Sequence, residues 1–208
     1  MSDDPVQIPQ ELLDVMVTHA LETNPEECCG VVLRFPDGAQ KLYRTTNAAD
    51  EGQRPFRFDI PAGELLHLYR LMSDQEADHY LVYHSHTMTE ARPSPTDLRF
   101  ARHLVGPDPW PYWLLVSLAS DPPSVRVWRI VEEPDDDPEA VNGVKPVEVG
   151  FEVVPLPAGS EVLQLRSDGD ERRPVVSETP KKTKRAPAKK TARKATKKTA
   201  RKAANLAT

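Results

Sequence analysis

Apolar residues along the first third of the chain fall into helical and strand periods. Leu12, Leu13, Met16, Val17, Ala20 and Leu21 form one broad stripe at helical spacing. This predicts an amphipathic helix from Pro9 to about Leu21, with Asn24-Pro25 ending it and His19 on the flank of the stripe. Cys28 to Phe35 is an apolar run that predicts a buried strand, in which Gly30 lets another backbone approach closely. Pro36-Asp37-Gly38 is a turn, and Gln40 to Arg44 is the returning strand of a hairpin. Phe56 to Ile60 alternates as a short strand or an extended entry, and Pro61 opens a second helix with Leu65, Leu68, Tyr69 and Met72 on one face. Tyr80-Leu81-Val82-Tyr83 predicts a further buried strand. A helix follows from Pro95 to about Val105, then strands at Tyr112–Leu118 and Val125–Val131, and an edge strand over Val144–Val154. Strands and helices share the chain, which places it in the α/β class.

From about Leu156 the apolar signal fades. Past Asp168 the chain is charged, polar and Pro-containing, the composition of a disordered segment. Residues 181–208 form three tandem octads of Lys, Arg, Ala and Thr, too poor in large apolar residues to build a solenoid. The predicted organisation is one domain over 1–155, a polar linker over 156–180 and a disordered basic tail over 181–208.

Charge sharpens this division. The formal net charge of the 208 residues is −5. The tail holds 12 of the 27 basic residues and no acidic one: Lys181, Lys182, Lys184, Arg185, Lys189, Lys190, Arg193, Lys194, Lys197, Lys198, Arg201 and Lys202. The rest of the chain therefore carries 15 basic against 32 acidic residues, a net of −17. Such a tail binds phosphate backbones without reading sequence, so nucleic acid or another polyanion is its expected partner. The only cysteines, Cys28 and Cys29, are adjacent and make neither a disulfide framework nor a metal knuckle. With no long apolar run and no apolar leader after Met1-Ser2-Asp3-Asp4, a cytoplasmic location is expected, with nucleoid association through the tail.

The candidate chemistry lies in His84-Ser85-His86 and Ser94-Pro95-Thr96-Asp97. On a strand, His84 and His86 present two imidazoles to one side and Ser85 faces away. Ser94 to Asp97 reads by itself as a helix start, with Ser94 the N-cap and Asp97 its capping-box partner. A carboxylate at that position is held rigidly, and two His with one carboxylate are a common ligand set for a catalytic zinc. The loop Thr87–Pro93, with Glu90 and Arg92, would lie beside that metal.

Glu27, His84-Ser85-His86, Ser94 and Asp97 together resemble the signature of the JAMM (MPN+, or JAB) metalloproteases, E…H-S/T-H-x7-S-x2-D. The segment Pro25-Glu26-Glu27-Cys28-Cys29-Gly30 is similar to the family's glutamate-bearing strand. Thr87 departs from it where many members have Pro. The element order from Pro9 to about Val131 resembles the bacterial stand-alone branch, which acts on sulfur-carrier or ubiquitin-like proteins. The resemblance implies the α/β JAMM/MPN fold, a mixed β-sheet flanked by helices and related to that of cytidine deaminases. It also implies a Zn2+ ion on His84, His86 and Asp97, Glu27 as general base, Ser94 at the oxyanion, and a carrier protein as substrate. The nucleobase-deaminase and zincin motifs are absent, and a cysteine within an apolar strand is ordinarily inert packing. A second reading takes the tail as the main functional element of a DNA-associated RadC-like or non-catalytic binding protein.

Overall fold

The computed structural model describes residues 5–104, 111–133 and 137–165, the side chains of residues 103 and 104 excepted. The elements run β1 (Val6–Pro9), α1 (Gln10–Thr23), β2 (Cys29–Arg34), β3 (Gln40–Thr45), α2 (Ala62–Gln75), β4 (Asp78–His86), α3 (Pro95–Leu104), β5 (Tyr112–Ser117), β6 (Ser124–Glu132), β7 (Val144–Val149), β8 (Phe151–Val154) and β9 (Glu161–Gln164). A seven-stranded mixed sheet has the order β7-β6-β5-β4-β2-β3-β9, and β1 pairs β8 in a small parallel sheet. The linker beyond residue 165 and the basic tail lie outside the described residues.

β4 lies inside the sheet, antiparallel to β2 and parallel to β5. Being covered on both faces, it reads as a continuous apolar run, and the two-residue period sorts its side chains. Val82 faces a core shared with Phe58, Leu68, Leu98, Ala101, Trp113 and Leu115. Leu81 and Tyr83 face a second core with Leu12, Met16 and Ala20 of α1, Val32, Leu42 and Leu114. Each large side chain so buried contributes about 1.5–3 kcal/mol. Gly30 is required where β2 runs beside β4, directly opposite Tyr83. A Cβ there would stand 2.3 Å from Tyr83 Cε1 and 2.5 Å from Tyr43 O.

The structure decides one open reading and corrects three expectations. Phe56–Ile60 is the entry segment to α2 and not a strand, its backbone being taken by Asn47: Asn47 Nδ2 donates to Arg57 O (3.1 Å) and Asp59 N donates to Asn47 Oδ1 (3.2 Å). Val144–Val154 is two strands, divided at Gly150 between the two sheets. Order continues into the segment read as a linker. β9 adds to the edge of the sheet beside β3, with Leu163 and Leu165 buried, an anchor too short to show in a polar stretch. His19 is buried, not on a flank, and its Nδ1 lies 2.8 Å from Tyr83 Oη. Burial pushes its pKa down to about 3, helped by Arg44, so it is a neutral core residue.

Candidate metal centre

Two locally determined elements build the centre. At the end of β4, His84 and His86 point to one face, with their Nε2 atoms 3.2 Å apart. Ser85 points to the other face, where its Oγ accepts the Cys28 N–H at 2.8 Å and ties β4 to β2. At the start of α3, Ser94 Oγ accepts the Asp97 N–H (3.2 Å) and Asp97 Oδ2 accepts the Ser94 N–H (2.6 Å). This reciprocal capping box fixes the carboxylate. The same Oδ2 stands 3.3 Å from His86 Nε2 and 3.5 Å from His84 Nε2. All three side chains are buried, and together they could hold a metal ion.

The surroundings orient the two imidazoles. His86 Nδ1 lies 2.8 Å from Glu90 O and 3.1 Å from Thr89 Oγ1. A proton on Nδ1 given to the Glu90 carbonyl leaves the Nε2 lone pair facing the cluster. The loop Thr87–Pro93 thus serves through the Glu90 carbonyl and the Thr89 hydroxyl. The Glu90 and Arg92 side chains turn instead to Arg126 and Glu139. His84 is held by rings: Phe58 stacks on it at 4.7 Å and Trp113 meets it edge-on at 5.8 Å. Its Nδ1 is buried with no hydrogen-bond partner among the described residues.

Glu27 stands two residues ahead of β2. The pairing of Cys29 with His84 continues outward to bring Glu27 level with His86. Its backbone N–H donates to Arg54 O (2.8 Å) and its carbonyl accepts from Asn47 Nδ2 (2.9 Å). The side chain is 5% exposed, and Oε2 is buried without a hydrogen-bond partner among the described residues. Burial pushes its pKa up to about 8, His86 opposes the shift and Asp97 adds to it. Burial also pushes Asp97 upward, but His84 and His86 outweigh it and hold the carboxyl well below its ordinary range. Burial lowers the His84 pKa against the pull of Asp97. At His86 burial acts downward too, yet the hydrogen bond and charge of Asp97 raise the pKa overall.

Asn47 carries no signal in the sequence, yet it joins the parts of the site. Its side chain donates to Glu27 O and Arg57 O and accepts from Ala49 N (3.0 Å) and Asp59 N (3.2 Å). It thereby fixes both Glu27 and the segment whose Phe58 stacks on His84. Asn47→Ala is expected to cost about 2 kcal/mol of stability, read as a lower Tm. Metal uptake, read by elemental analysis, should weaken as well, because Phe58, which stacks on His84, loses the anchor of its segment.

The fold and the site define a mixed α/β protein with a buried His-His-carboxylate centre at the end of a central strand. The chain belongs to the prokaryotic homologs of the JAB domain, whose family model matches residues 9–131. This is the family that the motif resembles. The chain is 36% identical over 124 residues to the CysO-cysteine peptidases of Mycobacterium bovis and Mycobacterium tuberculosis, across 59% of this chain and 80% of each relative. A solution structure of a protein from Desulfitobacterium hafniense shares the fold, with a TM-score of 0.51 at 24% identity, over 72% of this chain and 94% of that one. Among the described residues no helix is long and apolar enough to cross a membrane.

Proposed function

We propose that this protein is a zinc-dependent hydrolase cleaving the peptide or isopeptide bond after the C-terminus of a ubiquitin-like or sulfur-carrier protein. The observation that carries the reading is the convergence of His84 Nε2, His86 Nε2 and Asp97 Oδ2 at 3.2–3.5 Å from one another. Donors arranged tetrahedrally at zinc's bond lengths stand about 3.3 Å apart. The donor set and its spacing therefore both suit zinc, with a fourth position left for water. The family and the activity for which the mycobacterial relatives are named support peptidase chemistry on a carrier protein.

Zinc held by these residues supplies Lewis acidity and lowers the pKa of a bound water towards about 7. Glu27, with an unpartnered carboxylate oxygen, takes the proton of the attacking water and delivers it to the leaving amine. Ser94 Oγ already accepts the Asp97 N–H, so its own hydroxyl proton is free to be donated to the carbonyl oxygen as it becomes anionic. The N-terminus of α3 adds a favourable dipole for that charge. The basic residues of the tail, from Lys181 to Lys202, hold the protein to nucleic acid or another polyanion. Incubating the zinc-loaded full chain with CysO bearing a C-terminal cysteine is expected to release cysteine, and chelation is expected to stop the release. A carrier mass unchanged after long incubation would overturn the substrate reading.

A further inference from the structure

A cavity of about 290 Å³ opens beside the candidate metal centre, lined by Arg57, Phe58, Thr96, Asp97, Arg99 and Phe100. It is at the small end of ligand pockets, which run about 300–1,000 Å³. Because Asp97 is part of its wall, a group seated there lies next to the bond being cut.

Two arginines of the cavity wall, Arg57 and Arg99, have no carboxylate partner among the described residues, whereas Asp97 in the same wall is turned to His84 and His86. Arg34, Arg44, Arg54, Arg92 and Arg126 each stand 2.5–3.7 Å from a carboxylate. Arg57 reaches only the neutral Gln53 Oε1, at 3.3 Å, and Arg99 has no carboxylate partner among the described residues. Arg70 and Arg102 are also without one, but they do not line the cavity. The chain outside its tail is rich in acid, yet among the described residues these two exposed guanidinium groups meet no carboxylate, which favours an anion from elsewhere. Guanidinium matches carboxylate geometry, with two N–H donors to two oxygens. In a peptide substrate, the carboxylate nearest the scissile bond on the amine side is the α-carboxylate of a terminal residue.

We infer that Arg57 and Arg99 bind the free α-carboxylate of a single residue on the leaving side of the scissile bond. Of the peptide and isopeptide bonds open to the proposed hydrolase, this selects the peptide bond to a single C-terminal residue, because an isopeptide or internal bond offers no charge at that place. Water adds across the amide: its hydroxyl joins the carbonyl carbon, the C–N bond breaks, and the proton passes through Glu27 to the amine. The residue leaves as its zwitterion, with the carboxylate still on the arginines. The inference rests on the hydrolase reading for the orientation of the substrate, but its test needs no turnover.

The test is calorimetric binding to the full-length Glu27→Gln protein supplied with zinc. The probes are a synthetic peptide ending in Gly-Gly-Ala as the free acid and the same peptide as its carboxamide. The acid is expected to bind about tenfold more tightly, as fits a charge-assisted pair at a partly exposed site. In Arg57→Gln/Arg99→Gln that ratio should fall to about one, with zinc content and Tm unchanged. Equal affinity for the two peptides, binding of neither, or a ratio that survives the double substitution overturns the assignment. Absence of turnover in the wild type bears on the hydrolase reading alone.

Discussion

Glu27→Gln is expected to keep the metal and to lose turnover by about 10²–10⁴-fold, the usual range for an acid–base group. Glutamine preserves the shape of the side chain and cannot accept the proton. The ligands lie on β4 and α3, and Glu27 is anchored through its backbone by Arg54 and Asn47, so neither the centre nor the local fold depends on its charge. The checks are steady-state kcat beside elemental analysis of the same preparation. Turnover at the wild-type rate would remove Glu27 from this role. Stability of the metal-free protein gives a second check. The Glu27 carboxyl is pushed by burial from 4.5 up to about 8. Between those values the folded state binds more protons than the unfolded one, so the contribution of Glu27 to stability is present below about pH 4.5 and is lost as pH rises towards 8. Metal-free Glu27→Gln is therefore expected to melt above metal-free wild type at pH 8, with the gap closing near pH 5. A bound cation would favour the ionised carboxylate, so in the metal-loaded enzyme the ascending limb of kcat/KM should fall below pH 8.

What the sequence made legible follows the range over which each part is determined. His84 and His86 share a face by the two-residue period of a strand, and Asp97 is set by a capping box three residues long, so the ligands could be read from two short segments. Glu27 could be named only by resemblance. It reaches His86 through the pairing of β2 with β4, and no local rule fixes that register. Asn47, Phe58 and Trp113 were not legible at all. Their roles arise where an extended loop, a strand and a helix meet, and each alone reads as an ordinary loop or core residue. The same limit explains the peripheral strands. β1 and β8 are four-residue segments far apart in the chain, each of which becomes a strand only against the other. β9 depends on β3 in the same way.

Loss of the metal should be as costly to turnover as loss of the base. Wild type is expected to carry about one zinc per chain, while His84→Ala/His86→Ala should carry none and have no measurable turnover. The buried Asp97 carboxyl is kept ionised largely by those two imidazoles, with the Ser94 N–H as its remaining hydrogen-bond donor. Breaking such a buried pair costs about 3–5 kcal/mol, so the double variant should also melt lower. Zinc at a hundredfold excess over its Kd stabilises a protein by about 2.7 kcal/mol. That corresponds to a rise in Tm of roughly 5–10 °C for a domain of this size, present in wild type and absent in the double variant. The affinity should weaken as pH falls, because the raised pKa of His86 makes protons compete with the metal for its Nε2. Zinc retained by the double variant would place the metal elsewhere. A wild-type protein that takes up no zinc after reconstitution would leave Ser94 and Asp97 as a helix cap and remove the hydrolase reading with it.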